Sequence, residues 1–426
     1  MVPVGEPGFL RDAVVDIDVD GRIVAVGHVA DLGGAPDDVE HVGGLLMPGL
    51  VNAHAHTPMT LVRSAGDGLP LARWLAEGVW PREAKIAPDD ARVGMLLGSA
   101  EMLLAGVTTS CEMYLHEAAI LDAVVESGAR AVITPGVIEA LAPGGVLDGR
   151  LDEISTFHAA HHGDADGRIS VGFGPHSLYD LSPEQVGEIV ERAAAVEALV
   201  HIHLDETHAE RNVVIERWGG RTATEILADV GALDGKLLGA HGVWLSESDR
   251  RLLGEAGAGI AHCPQSNLKL GSGIAPLTDL LAQGVIVGVG TDGAASNDDL
   301  DLWEELKLAP LLARGRELDA QAVDAHTALR LATVDSARAI GLDDLGTIAP
   351  GMIADLVRID LDHPAFVPGI DADLLGHLVF AGGSKYVTDV WVAGRRVVSN
   401  GVCDTVDVER TMHAARECGA RLAADA

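Results

Sequence analysis

The chain has 426 residues, and its 30 Lys plus Arg against 64 Asp plus Glu give a formal charge of −34 at pH 7. That balance excludes a general nucleic-acid binder, which needs a cationic face to displace counterions from phosphate, and points to small-molecule or protein partners. Apolar residues make up 48% but aromatics only 3%, so the expected core is built from Ala, Val, Leu and Ile.

The N-terminal MVPVGEPGFLRD has neither a basic nor an apolar leader region and does not read as a secretory signal. Next, AVVDIDVDGRIVAVG alternates apolar and polar residues around Asp20-Gly21, the dipeptide of a tight hairpin. A hairpin alone is marginal in water. Its expected partners lie at the other end of the chain, where ADLVRIDL and VTDVWVAGRRVVSNG read as short strands, the latter folding at Ala393-Gly394. The two ends are therefore expected to form one small discontinuous β-sandwich domain, residues 1–45 with 346–410, followed by a C-terminal helix over 411–426.

Between them, eight short apolar runs alternate with helical stretches such as SPEQVGEIVERAAAVE. In order they are GLLMPGLVNAHAH, GVTTSCEMY, ARAVITPGV, ISVGFGPHS, LVHIHLDE, LLGAHGVW, AGIAHCPQSN and VIVGVGTDG. This rhythm predicts an α/β fold, a (β/α)8 barrel over residues 46–345, rather than a doubly wound open sheet. Cys111, Cys263, Cys403 and Cys418 are too scattered for a disulfide framework or a CxxC zinc site, which fits a reducing cytoplasm. No apolar run approaches the roughly 18 residues of a membrane span, so no membrane partner is expected.

Barrel enzymes place their chemistry where the strands end, and here the strand ends are rich in ligating groups. His54 and His56 are two apart on an extended segment, so both imidazoles face the same side. Alone, either reads equally well as a hydrogen-bonded core histidine. Joined by His203 at the end of LVHIH and Asp292 at the end of VIVGVGTD, they make a donor set suited to one zinc or ferrous ion with room for a water. His241, closing LLGAH, is either a further ligand or a neighbour of the site. Glu206, three residues after His203, is placed to act as general acid or base, with Asp292 and His241 as the other catalytic candidates. Two-metal barrel hydrolases commonly bridge their ions with a carbamylated lysine. No lysine occurs between Lys85 and Lys236, so a single ion is expected.

With these residues in place the chain resembles the amidohydrolase superfamily in its mononuclear deaminase branch, most nearly the 5′-methylthioadenosine/S-adenosylhomocysteine deaminases. The likeness runs through MPGLVNAHAHTPMTLVR, GVTTSCEMY, GPHS, IHLDET, GAHGVWL, AHCPQSNLKLGSGIAP, GTDGAASNDDLDLWEELKLA and GTIAPGMIADLV. It implies that His54, His56, His203 and Asp292 hold the metal, with His241 completing the site, and that Glu206 handles protons. It also implies that Glu83 of WPREAKI binds ribose hydroxyls, that Trp74 lies in the same pocket-forming loop, and that His176 of GPHS faces the purine. The implied reaction is hydrolytic deamination at adenine C6. Guanine, cytosine, pterin, s-triazine and aminodeoxyfutalosine enzymes share the same machinery. One departure stands out. Relatives that accept homocysteine carry an arginine where this chain has Pro135, which lowers the expectation for a carboxylate-bearing substrate unless Arg150 compensates. Relatives are often homo-oligomers, and that is the expectation here.

Overall fold

The computed structural model describes residues 8–28, 30, 39–141, 145, 147 and 149–424. The N-terminal MVPVGEP and parts of the 140–150 segment fall outside them. Among the described residues no helix is long and apolar enough to cross a membrane.

The chain begins with an antiparallel hairpin, β1 (Ala13–Ile17) and β2 (Ile23–His28). Its turn is longer than the expected two-residue form. Asp18 Oδ1 accepts from the amides of Asp20 (3.0 Å) and Arg22 (2.8 Å), spreading the reversal over several residues. The run GLLMPGLVNAHAH, expected as one strand, is two. β3 (Leu45–Pro48) pairs with a strand near the C-terminus, whereas β4 (Leu50–Ala55) opens the barrel. They part at Gly49, where any side chain would collide with Thr108, its Oγ1 only 2.3 Å from a Cβ placed there.

The barrel continues through β5 (Val107–Tyr114), β6 (Arg130–Val137), the short β7 (Ile169–Val171) and β8 (Gly174–Pro175), β9 (Val200–Leu204), β10 (Leu237–His241), β11 (Gly259–His262) and β12 (Ile286–Val289). All pairings are parallel, and β7 and β8 are two pieces of one run interrupted around Phe173. Two bridges join the halves into a ring, Phe173 to Val200 on one side and Ala55 to Asp292 on the other. The fold is the expected (β/α)8 barrel. The helices outside follow from sequence in the ordinary way. In Pro183–Ala194, Ser182 and Gln185 cap each other's amides at 3.2 and 2.7 Å, and Val186, Ile189, Val190 and Ala193 turn one stripe into the core. Ile120, Ile133, Phe173, Ile202 and Leu253 are fully buried in that layer.

The last strands, β13 (Leu356–Ile359), β14 (Val387–Val392), β15 (Arg395–Ser399) and β16 (Val402–Cys403), form an antiparallel five-stranded sheet with β3. Ala393 and Gly394 both have positive φ, as the tight turn between β14 and β15 requires. The hairpin packs against this sheet through Val15, Ile17, Ile23 and Val26 beside Leu356 and Trp391. A buried, two-pronged ion pair ties the small unit to the barrel: Arg130 at the start of β6 reaches Asp355 at 3.1 and 3.2 Å, and Asp355 also accepts the Ala393 amide at 2.7 Å. The terminal helix, Val408–Ala423, lies against the barrel, with Arg421 paired to Asp90 and Lys85 bonded to the Ala424 carbonyl at 2.8 Å.

Candidate metal centre

His54, His56, His203 and Asp292 converge at the barrel mouth, with one ligand atom from each lying within 4.8 Å of all the others. All four are buried. Each arrives because its strand ends there. Asp292 has φ of +61°, so the backbone turns sharply off β12 and aims the carboxylate inward. His241 at the end of β10 and Asp205 just past β9 have φ of +75° and +47°. Three strand ends thus hold uncommon backbone conformations around one point, a pattern associated with functional sites.

The donors fit a metal. Asp292 Oδ1 lies 3.4 Å from His54 Nε2 and 3.2 Å from His56 Nε2, while its Oδ2 accepts from the hydroxyls of Ser266 (2.6 Å) and Ser296 (2.9 Å). His56 Nε2 and His203 Nε2 face each other at 3.2 Å. On their far sides, His56 Nδ1 donates to the Met113 carbonyl and His203 Nδ1 donates to the His176 carbonyl at 3.0 Å. Carbonyls only accept, so both protons sit on Nδ1 and both Nε2 lone pairs point at the same space. His54 Nε2 is buried there without a hydrogen bond. Burial lowers the His54 pKa to about 4 and drives His203 well below the usual imidazole range, keeping both neutral. Converging lone pairs beside a carboxylate repel one another unless a cation sits among them. Three histidines and one aspartate with hydrogen-bonded outer nitrogens make a site for one metal ion.

Beside this cluster opens a cavity lined by a few polar groups among apolar ones, the mix expected of a small-molecule site. Glu206 and His241 line its inner end, with Glu206 Oε2 at 3.7 Å from His241 Nε2. Burial raises the Glu206 pKa, only partly offset by the nearby His241. Ser272 donates to its Oε1 at 3.1 Å, and the Glu210 carboxylate accepts its backbone amide at 2.9 Å, so the carboxylate and the backbone that carries it are each held. His241 Nδ1 bonds to Asn267 Oδ1 at 3.0 Å, which turns Nε2 towards the cavity. His241 is not one of the converging ligands. It stands next to them.

His176, Glu83 and Trp74 also line the cavity. Burial lowers the His176 pKa to about 3, so it is a neutral imidazole. Burial raises the Glu83 pKa, only partly offset by the neighbouring Tyr114 hydroxyl. Trp74 spends its indole N–H on the Ala65 carbonyl at 2.8 Å and offers the cavity only its apolar surface. It begins a π-helical turn, Trp74–Val79, a form often found at functional sites. Arg150 sits behind the wall, 3.4 Å from the carbonyl of the lining residue Gly136. Its guanidinium is clamped to Glu117 at 2.8 and 3.1 Å and does not line the cavity. Among the described residues no lysine or arginine does. The outer part is apolar, with Leu71, Leu75, Leu115, Ile138 and Leu141.

Sequence reasoning missed Tyr114, Ser272, Asn267 and His201. The last was readable, because VHIH repeats on β9 the two-apart histidine spacing seen on β4.

Comparison with known proteins agrees with this geometry. Residues 45–397 match the model of the Amidohydrolase family. The chain is 40% identical to the 5-methylthioadenosine/S-adenosylhomocysteine deaminase of Pelotomaculum thermopropionicum, covering 98% of this chain and 96% of that one. It is 37% identical to the 5′-deoxyadenosine deaminase of Methanothermobacter thermautotrophicus, again covering 98% and 96%. The crystal structure of an adenosine deaminase from Xanthomonas campestris with bound zinc superposes with a TM-score of 0.92 at 36% identity, covering 99% of this chain and 96% of that one. By sequence, fold and metal-ligand set, this chain belongs to the amidohydrolase family.

Proposed function

We propose that the chain hydrolyses the C6 amine of a 5′-substituted adenosine, giving the inosine product and ammonia, and that its preferred 5′ substituents are uncharged. The observation that carries this reading is a buried carboxyl, Glu206, set against His241 in the cavity shared with the metal ligands. Zinc suits the donor set and is the ion bound in the Xanthomonas enzyme.

A divalent ion bound here supplies Lewis acidity, lowering the pKa of water from 15.7 to about 7 so that a nucleophile exists at neutral pH. The chain does the rest. Glu206, kept protonated to higher pH by burial, delivers a proton to the ring nitrogen next to C6 and so drains the charge that builds as oxygen adds. His241, anchored on Asn267, holds the incoming oxygen. Asp292, with one oxygen among the ligands and the other steadied by Ser266 and Ser296, takes the proton released by the attacking water and passes it to the departing amine, and the hydroxyl left on C6 returns a proton to Glu206 as the carbonyl forms. The C6–N bond breaks, a C6–O bond remains, and water is divided between product and ammonia. His176 lies beside the purine, and Glu83 with Tyr114 supports the ribose hydroxyls.

The outer cavity decides the substituent. A homocysteine carboxylate would be buried there without a cationic partner, which costs far more than burying a methylthio group. Ammonia release should be measured across adenosine, 5′-deoxyadenosine, 5′-methylthioadenosine, S-adenosylhomocysteine, guanine, cytosine and pterins. The expected result is fastest turnover of neutral 5′-modified adenosines. Best turnover of S-adenosylhomocysteine, or of a free base, would refute the assignment.

A further inference from the structure

His54 differs from the other two imidazole ligands in what stands behind it. His56 and His203 are backed by carbonyls, which can only accept, and their tautomers are fixed outright. His54 Nδ1 instead meets another imidazole, His201 Nε2, at 2.8 Å. An imidazole nitrogen can give or take a proton. If His201 carried its proton on Nε2, His54 would accept at Nδ1 and keep its own proton on Nε2, pointing among the ligand atoms where a metal must bind. Something has to exclude that arrangement.

The far end of His201 does so. Its Nδ1 lies 3.0 Å from Thr134 Oγ1 and 3.5 Å from Cys111 Sγ. Thr134 has one hydroxyl proton, and it goes to the Glu112 carbonyl oxygen at 2.9 Å, which cannot donate. The threonine oxygen is then free only to accept, so His201 carries its proton on Nδ1 and leaves Nε2 bare. His54 must therefore donate from Nδ1 and present Nε2 to the ion. Cys111, Thr134 and His201 are wholly buried, so bulk water has no access to replace a missing link.

We propose that Thr134 and His201 form a tautomer-setting relay, starting at the Glu112 carbonyl and ending on His54, that holds His54 as an Nε2 ligand. Both are positioning residues. Neither lines the substrate cavity. The inference rests on the metal centre described above and is independent of which substrate the enzyme takes.

The test reads metal binding directly. Zinc affinity of the full chain is measured by chelator competition, and geometry by the visible absorption of the cobalt-loaded protein. His201→Phe removes the acceptor, and Thr134→Val replaces one hydroxyl with a methyl. Each should weaken zinc binding about 10- to 100-fold and alter the cobalt bands. His201→Gln, whose side-chain oxygen can stand in for Nε2, and Thr134→Ser should restore both. Melting of the metal-free proteins separates a lost relay from a lost fold, and if His201→Phe does not fold, Thr134→Val decides. Wild-type affinity and spectrum in Thr134→Val or in folded His201→Phe would overturn the relay. A wild-type chain that binds no metal would overturn the metal centre itself, and the relay with it.

Discussion

The two ends of the cavity are built on opposite principles. At the inner end every polar group is held in place. Imidazoles are backed by Met113, His176 and His201, Asp292 is steadied by two serines, and Glu206 is fixed through Ser272 and Glu210. At the outer end the walls are leucine, isoleucine and tryptophan, and the only arginine expected there is occupied by Glu117. Directional bonds fix where charge can move, whereas apolar walls sort substrates by what they cannot solvate. The proposed function thus assigns chemistry and selectivity to separate sets of residues, and predicts that each can be changed without the other.

The largest expected effect is at the inner end. Glu206→Gln should lower kcat by about 10²- to 10⁴-fold while one metal ion per chain is retained, as checked by single-turnover kinetics and metal analysis. Loss of metal in this variant would show that Glu206 supports the site rather than the reaction. At the outer end, kcat/KM for 5′-methylthioadenosine should exceed that for S-adenosylhomocysteine by roughly 10- to 100-fold, the cost of leaving one buried group without its partner. Ile138→Arg, which places a cation on that wall, should narrow the ratio by about tenfold and leave turnover of 5′-deoxyadenosine little changed. If it left the ratio unmoved, the outer wall would not be where the 5′ group lies. Tyr114→Phe, which removes the hydroxyl that lines the cavity with Glu83, should raise KM by roughly threefold to tenfold, in keeping with one hydrogen bond of about 1 kcal/mol, and barely alter kcat.

Outside the cavity, the Arg130–Asp355 pair offers a control on this division. Arg130→Met strands a buried carboxylate and should cost about 3–5 kcal/mol of stability. Denaturant melts should show that loss while kinetics of the folded fraction stay near wild type.

Much of this was legible because the relevant signals are local. A two-residue spacing places His54 and His56 on one face, and a rhythm of short apolar runs with polar ends marks a barrel and its active rim. What escaped depends on contacts between distant segments. The division of one apparent strand at Gly49 follows from the nearness of Thr108, 59 positions on. Arg150 was available as a carboxylate partner only until the fold brought Glu117 to it. The relay needs Glu112, Thr134 and His201 from three strands, and although the VHIH spacing marks His201, nothing within one strand announces its partners. Trp74 has the right location, but the bond to the Ala65 carbonyl leaves its indole N–H nothing to offer a ligand.

The most direct test follows ammonia and metal together in one sample. Protein carrying one zinc per chain is given 5′-methylthioadenosine, stripped by chelation, and reloaded. One ammonia per inosine product should appear, cease when the zinc is gone, and resume when it returns. Undiminished ammonia release from the zinc-free protein, or none from the zinc-loaded one with any adenosine, would contradict the account.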